Sequence, residues 1–321
     1  MAKVYVTCRV VADEIERLRS AGHDVEMRDV SGPIAASELL ENVESADGLI
    51  CLLSDRIDAD LIAHAPQLKI IANLGVGYDN IDVSAAHAAG IAVTNTPGAL
   101  TETTADLTFA LLLSAARRIV EADGFVRAGQ FLGWELVQPH LGFDLHKKTL
   151  GIVGMGRIGT AVARRGHCGF DMNILYHNRG RNVSAEEELD AARVPFESLL
   201  EQSDFICVHT PLTEETRHLF DVKAFRRMKD TAILVNVARG PVVDESALVW
   251  ALKAGEIAGA GIDVYEHEPK INPELLELKE RVVLAPHIGS GTVATRRALA
   301  RIAVDNVLLV LAGRPPGTPV A

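Results

Sequence analysis

Short apolar runs alternate with helical stretches from end to end of the chain, a pattern that few architectures accept. Residues 3–6, 48–52, 70–73 and 91–94 read as strands buried on both faces. Between them, residues 12–21, 37–44, 59–65 and 83–89 space their apolar side chains at the helical period. Gly22 and Gly90 fall where helices should stop. A second series of strands follows at 149–153, 173–176, 205–209, 232–236, 259–263 and 282–285, with helices in most of the gaps. Strand–helix alternation of this kind builds parallel sheets covered by their own crossover helices, so the expected class is α/β with two doubly wound units. Residues 101–118 read as one long helix rich in Ala and Leu, leading into an irregular segment, 121–148, that contains Trp134 and Pro139. The last helix, 291–311, is expected to return to the first unit, which is otherwise short for a domain.

The length of 321 residues fits two domains of roughly 150 each. A hydrophobic share of 48% and a charged share of 23% exclude a disordered chain, which would lack the apolar surface to offset its entropy. Lys and Arg number 32 against 43 Asp and Glu, and the net charge of −11 argues against a phosphate-backbone partner. Cys8, Cys51, Cys168 and Cys207 are widely spread with no C-x-x-C pair. They read as reduced thiols in a reducing compartment, with neither a disulfide framework nor a metal site. No window approaches the ~20 apolar residues of a membrane span, and the start of the chain has no signal-peptide pattern. The expectation is a cytoplasmic protein with no nucleic-acid partner and no membrane.

Gly154-Met155-Gly156-Arg157-Ile158-Gly159 follows the strand 149–153 and opens a helix. In that context the first glycine permits the tight turn and the second lets a pyrophosphate approach the backbone. The third lets helix and strand pack closely, and the helix N-terminus supplies donors and positive dipole. The six residues are therefore candidate dinucleotide ligands. An acidic ribose reader is expected about 20 residues onward, at the end of the next strand. Asn178 lies 19 residues beyond Gly159, in Tyr176-His177-Asn178-Arg179-Gly180-Arg181, and that run holds no carboxylate. Asn178, Arg179 and Arg181 offer neutral and cationic donors to a 2′-phosphate. NADP(H) is the expected cofactor, the alternative being an NAD(H) site flanked by two solvated arginines.

Three further segments stand at expected C-terminal strand ends, where ligands bind in open α/β sheets: Asn236-Val237-Ala238-Arg239-Gly240, Asp263 to Glu268-Pro269, and Pro286-His287-Ile288-Gly289-Ser290. Singly, each polar residue could be a surface arginine, a solvated glutamate or a capping histidine. Together they suit hydride transfer to a 2-oxo acid. Arg239 can clamp a carboxylate with its planar fork. His287 can give a proton to the carbonyl oxygen, and Glu268 can orient the imidazole and favour its protonated form.

These motifs, with Asn73-Leu74-Gly75-Val76-Gly77 and Asn95-Thr96-Pro97, resemble the D-isomer-specific 2-hydroxyacid dehydrogenase family over nearly the whole chain, in order. Within it the chain is most similar to glyoxylate/hydroxypyruvate reductases. The resemblance implies a flavodoxin-like substrate domain, residues 1–97 plus 290–321, and a Rossmann cofactor domain, residues 98–289. It implies a homodimer built on a segment at about 101–148. Arg239, Glu268 and His287 would be catalytic. Backbone N–H groups at Val76 and Gly77, beside Leu74, would hold the substrate carboxylate with Arg239. Thr104, His209, Pro211, Val237, Ala238 and Gly289 would line the cofactor with Arg239 and His287, while Asp263 would bond the nicotinamide carboxamide. Trp134 would contact substrate from the partner, or else be a dimer-core aromatic. Two departures from the pattern, His146-Lys147-Lys148 and 165–170, touch only local geometry. The implied activity is reduction of a small 2-oxo acid such as glyoxylate or hydroxypyruvate. Its alternatives are another D-2-hydroxyacid dehydrogenase or a dinucleotide-sensing, corepressor-like interaction protein of the same fold.

Overall fold

Two sheets organise the chain, and within each every pair of neighbouring strands is parallel. The computed structural model describes residues 1–320, apart from the side chain of residue 12. Two compact units result: Met1–Leu100 together with the chain from Ser290 onward, and Thr101–Gly289.

In the first unit β1 (Lys3–Val6), β2 (Asp24–Met27), β3 (Gly48–Cys51), β4 (Ile70–Asn73) and β5 (Ala92–Thr94) lie in the order β2-β1-β3-β4-β5. Val4, Val6, Ile50, Ile70 and Ala72 share one core with Leu299, Ala303, Val304 and Val307 of the helix Val293–Leu311. Tyr5, Leu49, Cys51, Ile71 and Val93 belong to the other. Alternate residues thus enter opposite cores, which is why these strands are apolar throughout. β2, a strand not expected from the sequence, departs from that rule: it is an edge strand in which only Val25 is buried.

The second unit holds β6 (Thr149–Val153), β7 (Asn173–His177), β8 (Ala192–Arg193), β9 (Phe205–Val208), β10 (Ile233–Asn236), β11 (Gly259–Ile262) and β12 (Val282–Leu284). Their order, β12-β11-β10-β9-β6-β7-β8, winds outward in both directions from β6. The order reverses between β6 and β9, the position at which open α/β sheets bind ligands. Register carries the C-terminal ends to one edge: Val153 pairs with both His177 and Val208, Asn236 with Val208 and Ile262, and Ile262 with Leu284.

The helix Thr101–Ala116 covers β10, β11 and β12, burying Thr104, Ala105, Thr108, Phe109, Leu111, Leu112 and Ala116. Part of the expected irregular segment is helical, since Ile119–Arg127 forms a helix. The helix after the glycine turn runs on to Phe170, past the glycine at 166. A Cβ at Gly166 would come within 2.8 Å of Leu150 Cδ2, so that glycine serves helix–sheet packing and is not a stop. Among the described residues no helix is long and apolar enough to cross a membrane.

Candidate active site

β6 ends at Val153, and the chain turns through Gly154, Met155 and Gly156 into the helix Arg157–Phe170. Gly154 has φ +100°, and a Cβ there would lie 2.6 Å from backbone atoms of His209 and Thr210, beyond β9. Conformation and crowding both exclude a side chain. A Cβ on Gly159 would sit 2.2 Å from the Gly154 carbonyl oxygen, so helix and turn are in contact. Gly156 caps the helix with no side-chain hydrogen bond, and a Cβ there would meet nothing within 4 Å. The first N–H groups of this helix have no acceptor among the described residues, and with the open space beside Gly156 they fit the pyrophosphate of a dinucleotide. Arg157 is exposed and Ile158 half-buried.

The buried Met155 joins this turn to the end of β7. Its N–H donates to Asn178 Oδ1 at 3.1 Å, and its carbonyl accepts from Asn182 Nδ2 at 3.0 Å. Asn182 also donates through Nδ2 to Thr160 Oγ1 at 3.1 Å. Arg179 is exposed. Arg181 is engaged by Glu186, with Nε 3.1 Å from Oε2, and the Tyr176 hydroxyl donates to Glu186 Oε1 at 2.5 Å. The Arg181 guanidinium and the Tyr176 hydroxyl hold the Glu186 carboxyl down at about 2. Arg193 donates to the carbonyls of Asn178 and Arg179 at 2.9 and 2.8 Å. A cleft of about 690 Å³ opens here, lined by His177, Arg181, Glu186 and Arg193 among others. Asn182 was findable as an asparagine just before a helix, which it caps through Ala185 N–H at 3.1 Å. Glu186 and Arg193 carry no such signal.

Beyond β9, the His209 N–H donates to the Val153 carbonyl at 2.7 Å. Among the described residues its Nε2 is buried without a partner, and burial pushes the imidazole down to about 3, so it stays neutral. The Pro211 carbonyl accepts from Thr216 Oγ1 at 2.7 Å.

β10, β11 and β12 supply the polar cluster. Asn236 pins the turn Val237-Ala238-Arg239 from both sides: its Oδ1 accepts the Ala238 N–H and its Nδ2 donates to the Arg239 carbonyl, each at 3.0 Å. Arg239 is half-buried, with Nη1 donating to the Ala238 carbonyl at 2.9 Å. Asp263, fully buried after β11, accepts from Ile288 N–H at 2.7 Å and Gly289 N–H at 2.8 Å. The His287 N–H donates to the Asp263 carbonyl at 2.8 Å. These bonds hold His287 at φ +54°, in the left-handed region that a histidine seldom adopts. Burial, only partly offset by those amides and by His287, pushes the Asp263 carboxyl up. Thr104 Oγ1 donates to the Gly289 carbonyl at 3.0 Å, so the helix Thr101–Ala116 braces the same turn.

His287 Nδ1 lies 2.8 Å from Glu268 Oε2, while Glu268 Oε1 accepts the Tyr265 N–H at 3.0 Å. Burial raises the Glu268 carboxyl, but the His287 hydrogen bond and charge, the Tyr265 amide and Arg239 outweigh it and leave the group below the usual carboxylate range. An ionised carboxylate only accepts, so Nδ1 carries the proton of this bond and Nε2 is the nitrogen that can exchange one. Tyr265, which the sequence reading missed, donates through its hydroxyl to the Ala285 carbonyl at 2.8 Å and couples the Glu268 turn to the His287 turn.

In the first unit, the loop after β4 is fixed through its carbonyls. Asn95 Nδ2 donates to the Val76 carbonyl at 2.8 Å and Asn73 Nδ2 to that of Gly77 at 2.7 Å. Leu74 is buried, and Val76 and Gly77 are half-buried with no protein acceptor on their N–H groups among the described residues. Trp134 is 77% exposed, in the irregular stretch after the helix Ile119–Arg127.

The chain is similar to known proteins over almost its whole length. The NAD binding domain of D-isomer specific 2-hydroxyacid dehydrogenases is matched over residues 109–289. A glyoxylate reductase of Thermococcus litoralis is 50% identical over 319 residues, covering 98% of this chain and 95% of that protein. A crystal structure of a Thermus thermophilus protein superposes with a TM-score of 0.93 at 45% identity, covering 99% of this chain and all of that one. An NADPH-dependent glyoxylate/hydroxypyruvate reductase of Sinorhizobium meliloti, solved with NADP and malonate, superposes at 0.86 with 34% identity, covering 100% and 97% of the two chains. The glycine turn at the sheet's switch point, the Glu268–His287 pair and near-full-length similarity together place this chain in the D-isomer-specific 2-hydroxyacid dehydrogenase family of oxidoreductases.

Proposed function

We propose that the protein reduces a small 2-oxo acid, glyoxylate or hydroxypyruvate, to the D-2-hydroxy acid, using NADP(H) in preference to NAD(H). The observation that carries this reading is the His287–Glu268 pair, formed by the turns after β12 and β11, with the Arg239 turn after the neighbouring β10. The reduced nicotinamide supplies the hydride that goes to the substrate carbonyl carbon. His287, held by Glu268 through Nδ1, gives the proton at Nε2 to the carbonyl oxygen. Arg239 grips the substrate carboxylate and polarises the adjacent carbonyl. In the other domain the Val76 and Gly77 N–H groups, with no protein acceptor among the described residues, suit a substrate carboxylate, with Leu74 beside them.

The dinucleotide is held by the turn 154–159, with Thr104, His209, Pro211, Val237, Ala238 and Gly289 along its path. The role of Asp263 toward the carboxamide uses lone pairs left beyond its two backbone bonds. NADP(H) is favoured by the absence of a carboxylate in 176–181 and by the exposed Arg179. Against this, Arg181 must be shared with Glu186. The substrate and cofactor domains correspond in this reading to residues 1–97 plus 290–321 and 98–289.

A homodimer is supported by a row of apolar side chains left open in this chain, among them Leu132, Trp134, Leu136 and Val137 at 96%, 77%, 80% and 79% exposure. Sedimentation equilibrium reads the dimer directly, and a monomer mass refutes it. Four unpaired cysteines suit a reducing, cytoplasmic setting. The test of function is a kinetic panel of NADPH and NADH, each with glyoxylate, hydroxypyruvate and pyruvate. Efficient turnover of glyoxylate or hydroxypyruvate with NADPH is expected, and no turnover of any acid with either cofactor contradicts the reading.

A further inference from the structure

The turn that carries Glu268 is clasped to the segment that follows Arg239 by residues with no part in the chemistry above. Glu266 N–H donates to Glu245 Oε1 at 2.7 Å, and Glu245 N–H donates to Glu266 Oε2 at 3.2 Å. Each carboxylate thus accepts the other residue's amide. His218 Nε2 stands 2.7 Å from Glu266 Oε1, and its own N–H donates to the Pro241 carbonyl at 2.8 Å. His218 adopts φ +51°. The exposed His267 also faces Glu266, at 4.0 Å. Between these contacts the two turns touch: a Cβ on Gly240 would lie 1.8 Å from the Tyr265 carbonyl oxygen.

Glu245 is 8% exposed and the Glu266 side chain 15%, so two acidic groups are kept side by side with little water. Like charges so placed repel unless donors surround them. Here two amides, an imidazole and the N-terminus of the helix Glu245–Ala254 do so. Neutral side chains would pack at lower cost, whereas charged acceptors make the shorter and stiffer bonds. The two successive peptides flanking Tyr265 are thus both held, the Tyr265 N–H by Glu268 Oε1 and the Glu266 N–H by Glu245 Oε1.

We propose that Glu266, locked to Glu245 and His218, is a positioning residue that fixes the Glu268 turn against the Arg239 turn and so aims Glu268 at His287. The inference rests on the proposed roles of Glu268 and His287. Small misplacements of reacting groups are costly, of order 10²-fold for about 1 Å.

The test measures kcat and KM for the 2-oxo acid in E266A, E268Q, the double variant, H218Q and H287A. E266A is expected to lower kcat about tenfold while KM changes less than about twofold, as in E268Q. In the double variant, adding E266A to E268Q is expected to cost less than about twofold, because Glu266 acts through Glu268. Wild-type kcat overturns the proposal, as do a loss confined to KM and losses that multiply in the double variant. If E266A does not fold, H218Q, altered at an exposed partner, is expected to lower kcat in the same way by a smaller amount, and an unchanged kcat overturns it. Undiminished turnover by H287A overturns instead the reading of function beneath it, whereas an inactive H287A beside an unaltered E266A removes only the clasp.

Discussion

Replacing Glu268 by glutamine keeps the shape and one acceptor but removes the charge beside His287. The bond from Nδ1 to Oε2 is 2.8 Å long, with the two side chains 26% and 30% exposed. A buried hydrogen bond to a charged group contributes about 1.5–3 kcal/mol and an exposed ion pair about 0–1 kcal/mol. A pair mostly shielded, but not dry, falls between them at about 1.4 kcal/mol, a factor of about ten in rate. The sign follows from the chemistry. The imidazole must give up a proton from a fixed position as hydride arrives, and the Glu268 carboxylate holds it there through Nδ1. Glu268→Gln is therefore expected to lower kcat/KM for glyoxylate about tenfold. Nicotinamide absorbance follows the rate at saturating cofactor. A kcat/KM within about twofold of wild type refutes the claim that this pair holds the acid in place.

Three further outcomes follow from other parts of the site. Arg239→Lys should raise KM for the 2-oxo acid and lower kcat, since an ammonium cannot reproduce the guanidinium fork, and steady-state kinetics equal to wild type would remove the clamp. Arg179→Ala with Arg181→Ala should weaken NADPH binding more than NADH binding by fluorescence titration, and equal losses would show that neither arginine reads a 2′-phosphate. His209, held neutral with its folded value near 3 against the ordinary 6.5, makes stability depend on acidity. Below the ordinary value the unfolded imidazole takes a proton that the folded one refuses, so stability is full above it and falls by about 1.4 kcal/mol per pH unit as pH drops toward the folded value. His209→Gln should flatten that slope in denaturant titrations at about pH 7 and about pH 5, and an unchanged slope would mean that the ring protonates in place.

Strands buried on both faces were legible because their apolar runs have no other use: β3, β4, β6 and β9 are buried at nearly every position. The weak elements were not. β2 alternates exposed Asp24 and Glu26 with Val25, and β8 is two exposed residues long, so neither contrasts with a loop. The helix Arg157–Phe170 passes through Gly166, where the absence of a side chain leaves room for Leu150, a contact that depends on tertiary packing. Of the site, the residues within short motifs were legible, as spacing from a strand end places Gly154, Arg239 and His287. What orients them was not. Tyr265 looks like any core aromatic, and Glu245, Glu266 and His218 are distant in sequence and meet only when β10 and β11 lie side by side. Arg181 was legible as a charge, but its pairing with Glu186 depends on how the helix Val183–Leu189 turns back toward Tyr176.

The central claim is that His287 delivers the proton to the substrate carbonyl. Single-turnover reduction of glyoxylate by His287→Ala, with bound NADPH verified by fluorescence, tests it most directly. The expected rate is roughly 10²–10⁴-fold below wild type, the usual contribution of a positioned acid, with cofactor affinity retained. A rate within about tenfold of wild type contradicts the mechanism.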